Sequence, residues 1–549
     1  MKNKNINVLI IFLSVLYNYS NAQSWQWAKQ LGSPLFDDAS TVHISSKNNI
    51  YVTGNFAGSL FNYGNNSVIC NGINDFFIAK YNLVGNLLWF KQLGGNNTGT
   101  NCFEGIGGFV LDDNENLYIT GAFCHNTTIG SFNFVGTGDE FYIAKFDSSG
   151  NCIWAKQGGG NGDDGASGIC IDSLGYLYVC GTNSDTATFD IATIEPGGFI
   201  AKYDSAGNCI WAKKTFEPFY YFNKMYSCAN PSDIQICDST LLLVGATLND
   251  TIIADTITVF AKQNSFNCFI SLYDIDGNVS WIKLFGGPNP YSIGNEFTSD
   301  LLKNHFATGT FTDTGYFQTD TLTNNGKTDA FLVKYDINGN EKWVRQLNSS
   351  GGSYGYNVTS DENGFCYITG NFSGTAQFGL YTLTSASNSD MFLARYDSLG
   401  NCLGVKSFGN GSGNGVTQDA SGNPIVCGHF LQSITIGSQT FNSYGDADIF
   451  IAKCDAITGS MENKPPNNQL LIYANPTQGK CNITIPDEFA NDKQLTLTVY
   501  DNIGREIQVQ TITMHEGKIK LNLTAEAKGM YHVSLSNGSK VYNGKIVFE

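Results

Sequence analysis

Four carboxylates recur at a similar place in this chain. Asp38, Glu104, Asp164 and Glu296 precede, by 13 to 17 residues, the glycine that ends phrases such as YVTG, at Gly54, Gly121, Gly181 and Gly309. A partial ring of such acids could hold a cation or a hydroxyl-rich ligand. A pair set ~5 to 9.5 Å apart across a cleft could instead do the acid–base work of a glycosidase. The structural alternative is that each carboxylate accepts backbone N–H bonds from an adjoining loop. A second candidate is the run TFEPFYYFNKMYSCANPSD, where Phe219, Tyr220, Tyr221, Phe222 and Tyr226 crowd together. Aromatic faces suit sugar C–H surfaces and protein hot spots, although packing on neighbouring strands would also use them.

Other chemistries find no support. The chain has no HExxH helix or phosphate-binding glycine loop, and His43, His125, His305 and His429 fall at different repeat positions. Asp274, Asp276 and Asn278 in DIDGN lack the terminal Glu of a calcium loop, so a hairpin turn is expected there. Cysteine and histidine spacings do not suggest zinc, and no cofactor or metal is expected. The phrase Asp-x-x-Gly-Asn-x-x-x-Trp is similar to sialidase Asp-boxes and to the tryptophan docking motif of quinoproteins, both mainly structural devices. Sialidases also need an arginine cluster for the substrate carboxylate, and only Arg345 and Arg395 precede the C-terminal region. A net charge of −17 argues against nucleic acid and anionic membranes as partners.

The elements that must position these residues are written as a repeat. FIAKYDSAGNCIW ends at Trp211, with related copies ending at Trp89, Trp154, Trp281 and Trp343, a degenerate copy at Gly404 and a truncated one, FIAKCDAITG, ending at Gly459. Each unit reads as four short strands A to D: ASTVHISS, NIYVTGNF, DFFIAKYN and LLWFKQLG in the first. In strand C both faces are apolar, as blades stacked on both sides require. Four-stranded meanders repeated radially make a β-propeller, here of seven blades. The last unit lacks a strand D, while WQWAKQLG at residues 25 to 32 is a strand D without a unit, so the two are predicted to close the ring. Spacings of 57 to 70 residues between successive tryptophans exceed a compact blade, and the excess is expected as a small hairpin between B and C. The cation two residues after each Trp is read as a guard against edge-to-edge pairing. Of the 15 cysteines most are read as small buried apolar groups, with Cys102 and Cys124 the one pair worth testing.

Residues 1–22 read as a signal peptide: Lys2 and Lys4, an apolar run from Ile6 to Tyr17, and small Ser20 and Ala22 before the cut. That run is shorter than the ~20 residues of a spanning helix, so no transmembrane anchor is expected after cleavage. The propeller is assigned to 23–459 and a polar linker, SMENKPPNNQ, to 460–469. Residues 470–549 alternate apolar and polar residues in about seven short strands, the pattern of a small β-sandwich. The fold class is thus all-β.

The runs IYANPTQGK, LTVYDNIGREI and KGMYHVSLSNGSKVYNGKIVFE, in that order at the C-terminus, resemble the type A C-terminal sorting domain of cargo exported by the Bacteroidetes type IX secretion system. The resemblance implies that Tyr473, Asn475, Pro476, Gly479, Gly529, Tyr531 and Lys545 carry the sorting signal, that the secretion machinery is a partner, and that the protein is secreted or displayed on the outer surface. Ala474 departs from the usual Tyr-Pro-Asn-Pro. Residues 25 to 459 are similar to bacterial β-propeller repeat proteins with YVTG, FIAKYD and GNxxWAKQ phrases, which implies fold rather than activity. The expected function is non-catalytic binding of an extracellular glycan or protein through the D-to-A loop face, where the acids and the aromatic run converge. A glycan hydrolase or lyase using the loop carboxylates, and a passive adhesive repeat protein, are the alternatives.

Overall fold

The computed structural model describes residues 24–548 except 59, 96–103, 217, 222–223, 228, 248–250, 255–256, 261–266, 287–292, 458–469, 474–476, 487–488, 490–493, 502–504, 513–517 and 538–539. The signal peptide and the whole of the linker named above lie outside the described residues. The described chain is almost entirely strand.

The first repeat pairs Asp38–Ile44, Asn49–Ala57, Asn74–Asn82 and Leu87–Leu93 as an antiparallel meander. Among the described residues the same four-strand order recurs seven times up to Cys454. The seventh sheet takes Cys402–Gln418, Pro424–Ile436 and Gln439–Cys454 from its own repeat and Trp25–Gly32 from the start of the chain. Trp25 pairs with Cys454 and Leu31 with Ile449, the antiparallel register that the orphan strand requires. Ser24 and Asp455 extend the closure: the Asp455 carboxylate accepts the Ser24 amide at 3.1 Å and its hydroxyl at 2.7 Å.

Every innermost strand carries a β-bulge at one position. The register slips between Ala39 and Thr41, and at the equivalent place in the other six sheets, leaving Ser40, Gly107, Ser167, Ser232, Asn295, Tyr356 and Asn414 unpaired. An extra residue bends a strand and re-aims its side chain. Here four of these residues reach the next sheet, donating to the backbone carbonyl just before that sheet's own bulge. The donors are Ser167 to Pro231 (2.6 Å), Ser232 to Gly294 (3.1 Å), Asn295 to Gly355 (2.7 Å) and, across the closure, Asn414 to Ala39 (3.1 Å). The bulge also explains the glycine of the YVTG phrase. A Cβ on Gly54, Gly121, Gly181, Gly370 or Gly428 would stand only 1.9 to 2.2 Å from a carbonyl oxygen of the bulged strand.

The outer rim is locked by the repeated tryptophan. Trp27, Trp89, Trp154 and Trp343 each donate Nε1 to a carbonyl in the C-to-D turn of the following sheet, at 3.0 to 3.2 Å. Those turns are fixed by their Asp: Asp147 accepts the amides of Ser149 and Asn151 and the Asn151 side chain, and Asp274 does the same in DIDGN. The cation after the Trp joins this contact. Lys213 reaches Asn278 at 2.9 Å, and Arg345 bonds the carbonyls of Gly400 and Leu399 while lying over Trp343. At these two positions the cation holds neighbouring sheets together, which corrects its reading as a guard on an open edge.

The extra B-to-C residues form hairpins, such as Phe61–Tyr63 with Asn66–Val68 and Thr375–Phe378 with Tyr381–Thr384. They pair with the outermost strand of the preceding sheet, Leu31 with Tyr63 and Asn348 with Gln377. Most described cysteines are free, and Cys124 is disulfide-bonded; Cys102 lies outside the described residues. At the C-terminus a three-stranded and a four-stranded antiparallel sheet share one apolar core that includes Ile483, Leu497, Val533 and Ile546.

Deleting residues 23 to 32 removes the outermost strand of the seventh sheet and exposes the edge formed by 449–454. The shortened chain is expected to lose cooperative thermal unfolding of the whole ring; a transition with an unchanged midpoint, followed by circular dichroism, would contradict the closure.

Candidate functional site

The seven innermost strands enclose a central channel with a cavity of about 500 Å³. Its lining includes Ser40, Thr41, His43, Ser167, Asp233, Glu296, Tyr356, Asn357 and Asn414, and among the described residues contains no Lys or Arg. The volume lies within the roughly 300 to 1,000 Å³ of small-ligand sites.

The four predicted acids do not occupy one ring. Strand register makes Asp37, rather than Asp38, the equivalent of Glu104 and Asp164. These three face the joints between sheets. Asp37 is fully buried and accepts the amides of Ser33 (2.5 Å) and Ala57 (3.0 Å); Asp164 accepts those of Gly160 (2.5 Å) and Ser184 (3.1 Å). This is the structural role weighed as the alternative above. Each sits near a second buried acid at the start of the preceding sheet's strand C: Asp448 beside Asp37, Asp75 beside Glu104 and Glu140 beside Asp164. The strand-D glutamine binds that second acid, Gln30 to Asp448 at 2.5 Å, with Gln92 to Asp75 and Gln157 to Glu140 alike. Burial, helped by the neighbouring carboxyl, raises Asp37, Glu104 and Asp164 to about 7. Burial alone raises Asp448 to about 6.

Glu296 lies one residue past its bulge and opens on the channel. It is hydrogen-bonded to Asp233, which stands one residue past the bulge of the preceding sheet. Burial raises both, and the neighbouring Asp233 carboxyl raises Glu296 further. Asn357, at the same position in the next sheet, donates Nδ2 to Glu296 at 3.2 Å.

Asp38 takes a different place, at the channel mouth on the D-to-A loop face. Its Oδ1 receives His429 Nδ1 at 3.0 Å and Asn414 Nδ2 at 2.6 Å. The ring of Phe36, 48% exposed, lies 5.0 Å from that of His429. Two sheets back around the ring, Tyr354 and Tyr356 stack with an interplanar angle of 10° and centroids 6.3 Å apart, Tyr354 40% exposed. Asp38, Ser412 and Tyr354 start three consecutive innermost strands at one level. A carboxylate, an imidazole, a carboxamide and exposed rings thus converge on one arc, which can hydrogen-bond and stack on a polar ligand.

The aromatic run forms a hairpin, Pro218–Tyr221 with Lys224–Ser227, placing Phe219, Tyr220 and Tyr221 on one strand and Tyr226 on the other. Their side chains, and Phe222 altogether, lie outside the described residues. Sequence reasoning missed Phe36, Tyr354, Tyr356, Asn414, His429 and Asp233. For Tyr354, Tyr356, His429 and Asp233 the available signal was departure from the repeat, since their places hold different residues in the other units; Asn414 and Phe36 recur as Asn295 and Phe103.

In the C-terminal region Tyr473 lies on a short strand, while Asn475 and Pro476 are outside the described residues. Gly479 has φ +94° and sits against Thr524 and Phe548. Tyr531 is buried and donates its hydroxyl to the Ala527 carbonyl; Gly529 and Lys545 lie on adjacent strands.

Two family models match: a secretion system C-terminal sorting domain over residues 471–549 and a β-propeller repeat over 342–371. An uncharacterized WD repeat-containing protein of Acanthamoeba polyphaga mimivirus is 23% identical over 393 residues, covering 65% of this chain and 26% of its own length. The chain therefore spans about a quarter of that curated relative. Among solved structures, a mutant of the Synechocystis apocarotenoid oxygenase matches at 11% identity and a TM-score of 0.36, covering 77% of this chain and 95% of that one. An ACO/RPE65 chimera matches at 11% identity and a TM-score of 0.34, covering 78% and 95%. The chain is an all-β protein with a β-propeller repeat and a type IX secretion C-terminal sorting domain, and it is exported to the cell surface or secreted.

The joint carboxyls make stability depend on pH. An acid whose folded pKa is raised binds its proton more tightly in the native state, so stability falls as pH rises from the unfolded to the folded pKa. Asp37, Glu104 and Asp164 act between their ordinary values of 3.8 to 4.5 and about 7, and Asp448 between 3.8 and about 6. His43 and His305, lowered to about 4 by desolvation, oppose this only below 6.5, and His43 is itself exposed on the channel wall. The melting temperature should therefore rise as the buffer is taken from about pH 8 to about pH 6.5. A flat or falling profile by scanning calorimetry over that interval would remove the raised carboxyls from the account.

Proposed function

We propose that this chain is an exported binding module whose propeller occupies residues 23–459, behind a signal peptide at 1–22 and ahead of a linker at 460–469 and a sorting domain at 470–549. It captures an extracellular carbohydrate at the channel mouth and performs no catalysis. The observation that carries this reading is the convergence of Asp38, Asn414 and His429 with the exposed ring of Phe36 beside a cavity of about 500 Å³. Carbohydrate is favoured over protein because the arc is concave and polar, whereas protein hot spots centre on desolvated anchors. Against a glycosidase stands the spacing of the one channel acid pair. Asp233 and Glu296 are in hydrogen-bond contact, closer than the ~5 to 9.5 Å that leaves room for a sugar or water between two carboxyls.

On a glycan array the mature protein should bind at least one carbohydrate, and Phe36→Ala or Tyr354→Ala should weaken it roughly tenfold, about the loss of one aromatic contact. Silence with the intact protein would count against a carbohydrate ligand. Truncation after residue 469 should leave a folded ring in the periplasm; undiminished surface display or secretion, followed by protease accessibility and immunoblotting, would sink the sorting assignment.

A further inference from the structure

We propose that the channel mouth selects uncharged glycans and rejects sulfated or carboxylated ones, an inference that rests on the carbohydrate-binding reading above. The polarity of the mouth carries it. Asp38 Oδ1 is already occupied by His429 Nδ1 and Asn414 Nδ2, while Oδ2 has no partner among the described residues, and the side chain is 28% exposed. An imidazole whose Nδ1 faces a carboxylate oxygen carries its proton there when neutral, leaving Nε2 as an acceptor. The open Asp38 Oδ2, joined by His429 Nε2 in the neutral ring, therefore asks the ligand for hydrogen-bond donors, which adjacent sugar hydroxyls supply and sulfate or uronate groups do not.

Charge works in the same direction. Among the described residues none that lines the cavity is Lys or Arg, and below the mouth the channel holds the Asp233–Glu296 pair. The two arginines of the ring are committed elsewhere: Arg345 bonds the carbonyls of Gly400 and Leu399, and Arg395 bonds that of Ile457 at 3.0 Å. Three buried lysines of the strand-C phrase are likewise paired, Lys80 with Glu115, Lys334 with Asp300 and Lys453 with Asp419. An anionic sugar entering the mouth would meet Asp38 first and then a channel whose described lining holds no Lys or Arg, within a chain of net charge −17. Recognition of a carboxylate or sulfate instead needs a guanidinium fork or an ammonium.

The test compares matched probes on the full mature chain by isothermal titration calorimetry: uncharged laminari-, xylo-, manno- and chito-oligosaccharides against sulfated and uronic acid oligosaccharides of equal length. The expected result is binding of one or more uncharged series, affinity that changes little with added salt, at least tenfold weaker binding by Phe36→Ala and Asp38→Asn, and none detectable for the anionic series. Asp38→Asn tests donor demand without changing size, and Phe36 is solvent-exposed, so neither variant threatens folding; circular dichroism checks this. Anionic oligosaccharides binding as tightly as uncharged ones, with loss in Phe36→Ala, would overturn the selectivity and leave the binding face standing. Uncharged binding indifferent to both substitutions would overturn the face itself. Absence of binding by every series would overturn the proposal.

Discussion

Hydrogen bonds at the axis, between one bulged strand and the next, are the constraint on which the ring depends. Each bulge turns one residue out of its own ladder, and four of those residues use that freedom to hold the neighbouring strand by its backbone. The contact is to a carbonyl, so it tolerates Ser or Asn as donor and survives divergence of the repeats. It also fixes the height at which the next side chain enters the channel. Asp233, Glu296 and Asn357 stand at one level because each follows its bulge by one residue.

The rim is held by different means. Tryptophan and a cation seize the turn of the following sheet, the B-to-C hairpin reaches back to the preceding one, and buried acid pairs occupy three of the joints between. Strand C adds a further tie: Lys80 lies 5.0 Å over the ring of Tyr51 and pairs with Glu115 of the next sheet. Buried pairs of this kind weigh more on geometry than on net stability, since desolvation offsets much of their attraction.

Most of this scaffold is legible in the sequence. The orphan WQWAKQLG and the missing last strand D are two halves of one sheet, and both are visible as departures from a count. The hairpins follow from spacing, because residues beyond a four-strand meander must go somewhere. The acid ring was misread for a physical reason. Asp37 and Asp38 are adjacent, and a strand sends successive side chains to opposite faces, so a one-residue choice decides between joint and mouth. A bulge reverses that alternation again and leaves no mark in composition, which is why Glu296 was placed on a loop and Asp233 was passed over. The mouth was illegible because repeat logic rewards sameness, while Tyr354 and His429 are particular to their own sheets.

The pairing of Ser24 with Asp455 carries a last consequence. Strand C of the seventh sheet runs away from the D-to-A loops and ends at Cys454, so both chain ends leave the ring from the side opposite the channel mouth. The chain that continues past Asp455 therefore departs from the face of the ring opposite the opening beside Asp38 and His429.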